Sequence, residues 1–567
     1  MRINTEVFYT MGTIKHNRAQ ISTNSIERIY ITMRHLFIRG FYKPMGVSGN
    51  ALINELMILQ PEIYGSMSEE ITELDGLLYI IDRLPDGITE CRYINLTADE
   101  GLSASHFKNI IPAKRRRNCY RIDKDQMNIE ITRGRSDIYD ILTHLTFMFI
   151  EANKIAKKVL INENGKTLRE WKRLAEVVLT NKKIDNNERE VLIAQLSTFL
   201  GRSFEEIQKA DIDFSTPGKP NRFFQVIYWM GKLAINEILE DKKHQVSFSP
   251  ILRDRIGHHI YGEMWASNIK NELFKRNLLE RPIHIISANM HSVMNSIYGP
   301  MFLPKEASHN EGISLFELIG DEENNELRKI IKKGAAKKGL TFIKDNTGAN
   351  IDVQIIDTKK IDLDKTIYQI NNSKGERPVL IVMDYAFGEQ AYETLDELLR
   401  PYELDSGEKQ HMNVESVSIM GKAGILEGGK GDIMIPNSHI FEGTADNYPF
   451  KNELKGSDLE NSGLGVFEGA MITVLGTSLQ NRDLLKFFYN STWKVIGLEM
   501  EGAHYQKAIQ SASKIRGNIK KDVKVRYAYY ASDNPLKTGS TLASGGLGAS
   551  GVRPTYVITQ KILEQIF

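Results

Sequence analysis

The chain is short of cysteine, of net charge and of long apolar runs, and each shortage closes off a class of protein. Cysteine occurs twice in 567 residues, at Cys91 and Cys119, so no disulfide framework holds the fold and a reducing compartment is the natural setting. The 73 lysines and arginines nearly cancel the 72 aspartates and glutamates. Without an overall field the molecule has nothing to draw it to nucleic acid or anionic lipid, and any anion site must be local. No apolar stretch is long enough to cross a bilayer, and the opening Met1-Arg2-Ile3-Asn4-Thr5-Glu6 lacks the unbroken apolar core of a signal peptide. These absences predict a soluble, cytoplasmic protein.

What is present divides in two. From about residue 20 to 275 apolar residues recur at three and four, as at Ile26, Ile29, Tyr30 and Met33 or Leu142, Leu145, Phe149 and Ile150, which predicts a mainly α-helical N-terminal domain over residues 1–280. Gly46-Val47-Ser48-Gly49 and Thr216-Pro217-Gly218-Lys219-Pro220 carry turn chemistry. The texture changes at Arg281-Pro282. Strands are predicted at 283–286, 353–356, 379–383, 414–420, 432–435, 470–475, 495–498 and 523–530, with helices such as 390–400 and 503–512 between several of them. That alternation predicts an α/β domain over residues 281–567, its sheet covered by helices on its faces. The charged stretch from Asp321 to Lys338 is expected to be a solvated helix on this domain.

Two phosphate-loop spellings fail on context. Gly424-Ile425-Leu426-Glu427-Gly428-Gly429-Lys430 has Gly431 where a magnesium-binding hydroxyl belongs, and extended chain follows it. Gly546-Leu547-Gly548-Ala549-Ser550-Gly551 has no strand leading into it; with the rest of Lys537 to Gly551 it reads as a lid beside Asp533. In the N-terminal domain, Lys114-Arg115-Arg116-Arg117 is either an arm for a nucleotide's phosphates or a solvated loop, and solvation is favoured. His259 and Glu263 stand four apart on an expected helix beside His258, but two ligands do not make a metal site.

The informative carboxylates are Glu499 and Glu501, where the strand 495–498 turns into a helix near Gly502, and Asp533, in Ser532-Asp533-Asn534-Pro535 at the end of another strand. Each has an ordinary account, as an acid at a helix N-terminus or in a turn. A third segment, Ile419-Met420-Gly421-Lys422-Ala423-Gly424 followed by Gly431-Asp432-Ile433-Met434-Ile435-Pro436, changes the balance. In this order the set resembles the nucleoside phosphorylase and nucleosidase superfamily, and within it AMP nucleosidase, over about residues 281–567.

The resemblance implies a phosphorylase-like mixed sheet flanked by helices, and cleavage of the N-glycosidic bond of a purine nucleoside or nucleotide. Hydrolysis is preferred and phosphorolysis is the other route; no cofactor or metal is required. It implies Asp533 as the acid at purine N7, Glu501 as the carboxylate on the ribose hydroxyls, Met500 packing on the sugar, and Glu499 as a supporting acid, with Ser532 beside them. It implies Gly421 and Lys422 near phosphate or a carboxylate, and a homo-oligomer. The chemistry agrees: positive charge grows on the ribose while negative charge flows into the base, and two carboxyls in different environments divide those tasks. The first strand departs from the family, ending in Ser287-Ala288-Asn289-Met290-His291-Ser292 without an acid. Asn289 and His291 are the candidates for that corner, and Glu389 is a possible compensating group. The missing acid motivates the alternative, a non-catalytic purine nucleotide sensor that signals through its helical domain. The central expectation is that Glu501 and Asp533 converge on one cavity.

Overall fold

The computed structural model describes residues 18–115, 117–180, 184–304, 306, 314–368, 376–404, 406–444, 446–538 and 548–567. The opening hexapeptide, Arg116 of the basic run and most of the expected lid lie outside the described residues. Among those described, no helix is long and apolar enough to cross a membrane.

Helices dominate the N-terminal half. The longest, Gly134–Val159, is buried along nearly its whole length and ends on Lys157 and Lys158, cations suited to the negative end of a helix dipole. Among them sits a sheet that periodicity did not predict. Its strands are β1 (Phe41–Tyr42), β2 (Tyr93–Thr97), β3 (Asn109–Ile110), β4 (Cys119–Arg121), β5 (Gln126–Glu130) and β6 (Gln245–Phe248), in the order β1-β6-β2-β5-β4-β3. The turn expected at Gly46 to Gly49 is a helix start: Val47–Leu59 begins there. His258 and His259 fall between two helices, with His259 at a φ of 55° as the N-cap of Ile260–Lys275, so the expected His259/Glu263 pair does not share one helix.

The second sheet begins at β7 (Ile283–Ser287) and continues with β8 (Leu340–Ile343), β9 (Val353–Asp357) and β10 (Val379–Met383). A separate two-stranded ribbon, β11 (Tyr402–Glu403) with β12 (Lys409–Gln410), comes next. The sheet resumes with β13 (Val414–Ile425), β14 (Ile433–Phe441), β15 (Asn447–Pro449), β16 (Val466–Thr473), β17 (Val495–Glu499) and β18 (Lys524–Asp533). β7 lies parallel between β10 and β13, and every residue of β10 is buried, as expected of a strand covered on both faces. β13 also pairs with β18 and β17, β18 with β14, β14 with β16, and β16 with β17. These five strands therefore close a ring. Gly497 permits the closure: a Cβ there would stand 2.4 Å from Met434 Sδ and 2.6 Å from the Gly424 carbonyl.

The whole is a mixed α/β chain, mainly helical before β7 and built on a mixed sheet with flanking helices after it. One core joins the two halves. Buried residues of the N-terminal helices pack in the same cluster as Leu426, Ile472, Val474, Val495 and Leu498. Polar contacts reinforce the seam: Asn481 Nδ2 donates to the Leu59 carbonyl at 2.7 Å, and the Glu62 N–H to the Gln480 carbonyl at 2.9 Å.

Candidate active site

A cavity of about 1210 Å³ opens where β7, β10 and β18 end and β13 passes. β7 brings Ser287 to its wall, and the following turn brings Asn289 and His291. Asn289 caps the helix Met290–Phe302 by accepting from the His291 N–H at 2.9 Å. β13 presents Gly421 and Lys422, the latter exposed. Tyr385, from the loop after β10, hydrogen-bonds Tyr530 of β18. Tyr505 shares a 3.0 Å hydrogen bond with Ser287 Oγ, and Tyr529 and Tyr556 complete a tyrosine-rich surround. Glu501 is the one carboxylate among these wall residues.

The structure thus brings Glu501, Gly421, Lys422, Asn289 and His291 onto one wall. It does not bring the other expected residues there. Met500 turns the opposite way, into a second cavity of about 340 Å³ shared with Arg135, Ser136, Gly388, Glu389 and His504. Glu499 is buried behind the wall and acts as a local cap, accepting from the Glu501 and Gly502 N–H groups and from the Thr473 hydroxyl. Glu389 begins the helix Gln390–Leu398 as expected but pairs with Arg135 at 3.1 Å and faces the second cavity.

Asp533 and Ser532 end β18, with Asp533 opposite Gly424 of β13 and off the cavity wall. Ser532 Oγ lies 2.6 Å from Asp533 Oδ1 and 3.1 Å from the Ala423 carbonyl. Asp533 is buried, and its Oδ2 has no hydrogen-bond partner among the described residues. Burial raises its proton affinity, against the Ser532 hydrogen bond and the Lys422 charge. A buried carboxyl with an unused oxygen is well suited to hold a proton.

Burial also pushes Glu501 up to about 8, with repulsion from Glu499 adding to it. The Gly388 N–H donates to Glu501 Oε1 at 2.9 Å and works the other way, as does the Arg133 charge. Burial therefore favours a proton on Glu501, and nearby positive charge favours the carboxylate.

Sequence reasoning missed the cations. Arg328, Lys329 and Lys332 project from the helix Asn325–Lys337 onto the cavity wall, although the charged run was expected to be merely solvated. Lys332 stands three and four residues after Lys329 and Arg328, spacings that share a helical face, which was the available signal. The basic run of the N-terminal half is neither a phosphate arm nor a solvated loop at Arg115 and Arg117. Arg117 is buried against Asp137 at 2.7 Å and Asp140 at 2.5 Å, and Arg115 pairs with Asp140 at 3.2 Å. Among the described residues no group of three or more His, Cys, Asp or Glu is placed to hold a metal ion.

No curated protein matches the sequence. Three solved structures illustrate the likeness that exists at the level of coordinates. Native futalosine hydrolase of Helicobacter pylori is 12% identical, with 51% of this chain and 98% of that one covered at a TM-score of 0.29. The Campylobacter jejuni 5′-methylthioadenosine/S-adenosyl homocysteine nucleosidase is 12% identical, with 50% and 99% covered at 0.30. The Streptococcus pneumoniae MTA/SAH nucleosidase, solved with 8-aminoadenine, is 11% identical, with 50% and 99% covered at 0.28. A family model matches far more of the chain, over residues 50–309 and 316–567. The chain belongs to that family, described as a family of unknown function, DUF6909.

Proposed function

We propose that this protein cleaves the N-glycosidic bond of a purine nucleoside or nucleotide, by hydrolysis and with a 5′-nucleotide preferred. The observation that carries the reading is the composition of the cavity wall. Its one carboxylate, Glu501, shares the space with Lys422, Arg328, Lys329 and Lys332 and with five tyrosines. A ligand matching that wall has an aromatic part, hydroxyls and an anionic group. Lysine and arginine side chains are ordinary phosphate partners, and a carboxylate beside a sugar stabilises the positive charge that grows as the bond to the base breaks. For the leaving base the proposed acid is Asp533, whose burial and unused oxygen suit it to hold a proton although it lies off the cavity wall. His291 and Asn289 stand at the corner open to water.

The test is incubation of the purified protein with purine nucleosides and 5′-nucleotides, with and without phosphate, followed by chromatography for free base. Base release without a phosphate requirement is expected, most rapid from a 5′-nucleotide. No release from any member of the panel by folded protein would overturn the reading. The position of Asp533 away from the cavity wall favours a second reading, a purine nucleotide sensor without turnover. Its mark would be AMP binding by calorimetry, retained in Asp533→Asn, with no product from the parent chain.

A further inference from the structure

The loop after β10 is gripped from the N-terminal half at four consecutive residues. Arg133 lies 4.5 Å from the Phe387 ring centroid. Ser136 Oγ occupies the space where Gly388 would carry a Cβ, 2.3 Å from it, and Gly388 adopts a φ of +57° that side chains disfavour. The Glu389 N–H donates to that same Ser136 Oγ at 2.9 Å, while Arg135 donates to its carboxylate at 3.1 Å. Gln390 Nε2 donates to the Thr132 carbonyl at 3.3 Å. These four contacts come from one short segment, Thr132 to Ser136, that spans the start of the long helix Gly134–Val159, while Gln390 Nε2 also donates to the Ala349 carbonyl at 2.6 Å. The gripped loop in turn holds Glu501 through the Gly388 N–H.

We propose that the segment Thr132–Ser136 is part of the active site, clamping the 387–390 loop so that Gly388 fixes the Glu501 carboxylate toward the cavity, with Ser136 and Arg133 as positioning residues. This rests on the reading of Glu501 as the carboxylate beside the sugar. It gives the N-terminal half a task in the reaction. The charged and titratable groups around Glu501 are Glu499 at the end of β17, Tyr505 on the helix that follows, Tyr529 on β18, Lys422 on the shared wall and Arg133. Arg133 is the cation that favours the ionised form of Glu501 from outside the second sheet.

Full-length Ser136→Ala, Arg133→Gln and Arg133→Lys should be compared with the parent for AMP cleavage across neutral pH, with melting temperatures as a folding control. Hydrogen exchange of the peptide spanning 385–390 should be followed in Ser136→Ala and Glu501→Ala. Ser136→Ala and Arg133→Gln are expected to lower kcat at least about tenfold while KM stays within about twofold, the pattern of a group that acts at the transition state. Arg133→Gln should also move the acid limb of the pH profile upward, and Arg133→Lys should restore it, since charge rather than shape sets the limb. Parent-like kcat and pH limb in both variants of an active enzyme would overturn the clamp. If the parent releases no base, the proposed function fails separately and exchange alone decides. Exchange faster by about fivefold or more in both Ser136→Ala and Glu501→Ala upholds the linkage, because local opening sets the rate; unchanged exchange overturns it.

Discussion

At the scale of single residues, neighbouring carboxylates have been given different work by their surroundings. Glu499 spends its oxygens on two backbone N–H groups and a threonine hydroxyl, whereas Glu501, two positions on, reaches the cavity. Strand alternation alone does not separate them, because the chain leaves β17 at Glu499 and turns into a helix at Gly502. Asp533 keeps one oxygen on Ser532 and one without a partner among the described residues. If Asp533 is the proposed general acid, Asp533→Asn is expected to cut kcat by roughly 10²–10⁴-fold while the melting temperature changes little. Steady-state kinetics on AMP beside a thermal melt would check both. A variant with unchanged kcat would remove Asp533 from the chemistry. Strand-end placement singled out Glu501, and Lys422 came only from the family resemblance. The sequence could not tell that Met500 faces away from Glu501, because that depends on which elements flank each side of the turn.

At the scale of elements, the helix Asn325–Lys337 has two faces with different work. Ile331 and Ala335 are buried in the core, while Arg328, Lys329 and Lys332 reach the cavity wall. If these cations hold an anionic group, the double variant Lys329→Ala/Lys332→Ala should raise KM for AMP by about tenfold and leave adenosine unaffected, since each charge-assisted contact is worth about 1.5–3 kcal/mol when well formed and less when exposed. Kinetics on the two substrates side by side would test it, and an equal change for both would place the anion elsewhere. The elements themselves were unequally legible. β10 was predicted with its observed ends because Val379 to Met383 is an unbroken apolar run, and β7, β9 and β17 were each predicted one residue short. β1 to β6 were not predicted: β1, β3, β4 and β6 span only two to four residues, and β2 and β5 interleave polar residues with apolar ones among long helices. β13 runs five residues past its expected end, to Ile425, because β17 and β18 pair with it there, and such partners are distant in the chain.

At the scale of the whole molecule, buried ionisable groups set how stability follows pH. Burial raises Glu393 and Glu501 to about 8, and Glu151, Glu442 and Glu499 to about 7. Their folded values lie above their unfolded ones, so their stabilisation is complete below about pH 4.5 and is lost as pH rises through 7 and 8. Buried His439 and His504 are held down to about 3 and 4; their contribution is complete above about 6.5 and is lost only on acidification. Between about pH 6.5 and 8 the carboxyls therefore dominate, and the melting temperature is expected to fall by a few degrees across that window. Glu393→Gln, at a site where Oε1 has no hydrogen-bond partner among the described residues, should melt above the parent at pH 8 and differ less at pH 6.5. A melting temperature that rises across the window would contradict the assignment. By itself the sequence determined eight of the twelve strands after residue 281, missing β8, β11, β12 and β15, together with the class of the fold and the carboxylates worth watching, because apolar periodicity and strand-end placement are local properties. Only the tertiary structure decided that five strands close a ring, that a charged helix faces the cavity and that the N-terminal half grips the loop holding Glu501. Those outcomes depend on contacts between distant segments, and local pattern carries no record of which distant surface a side chain will meet.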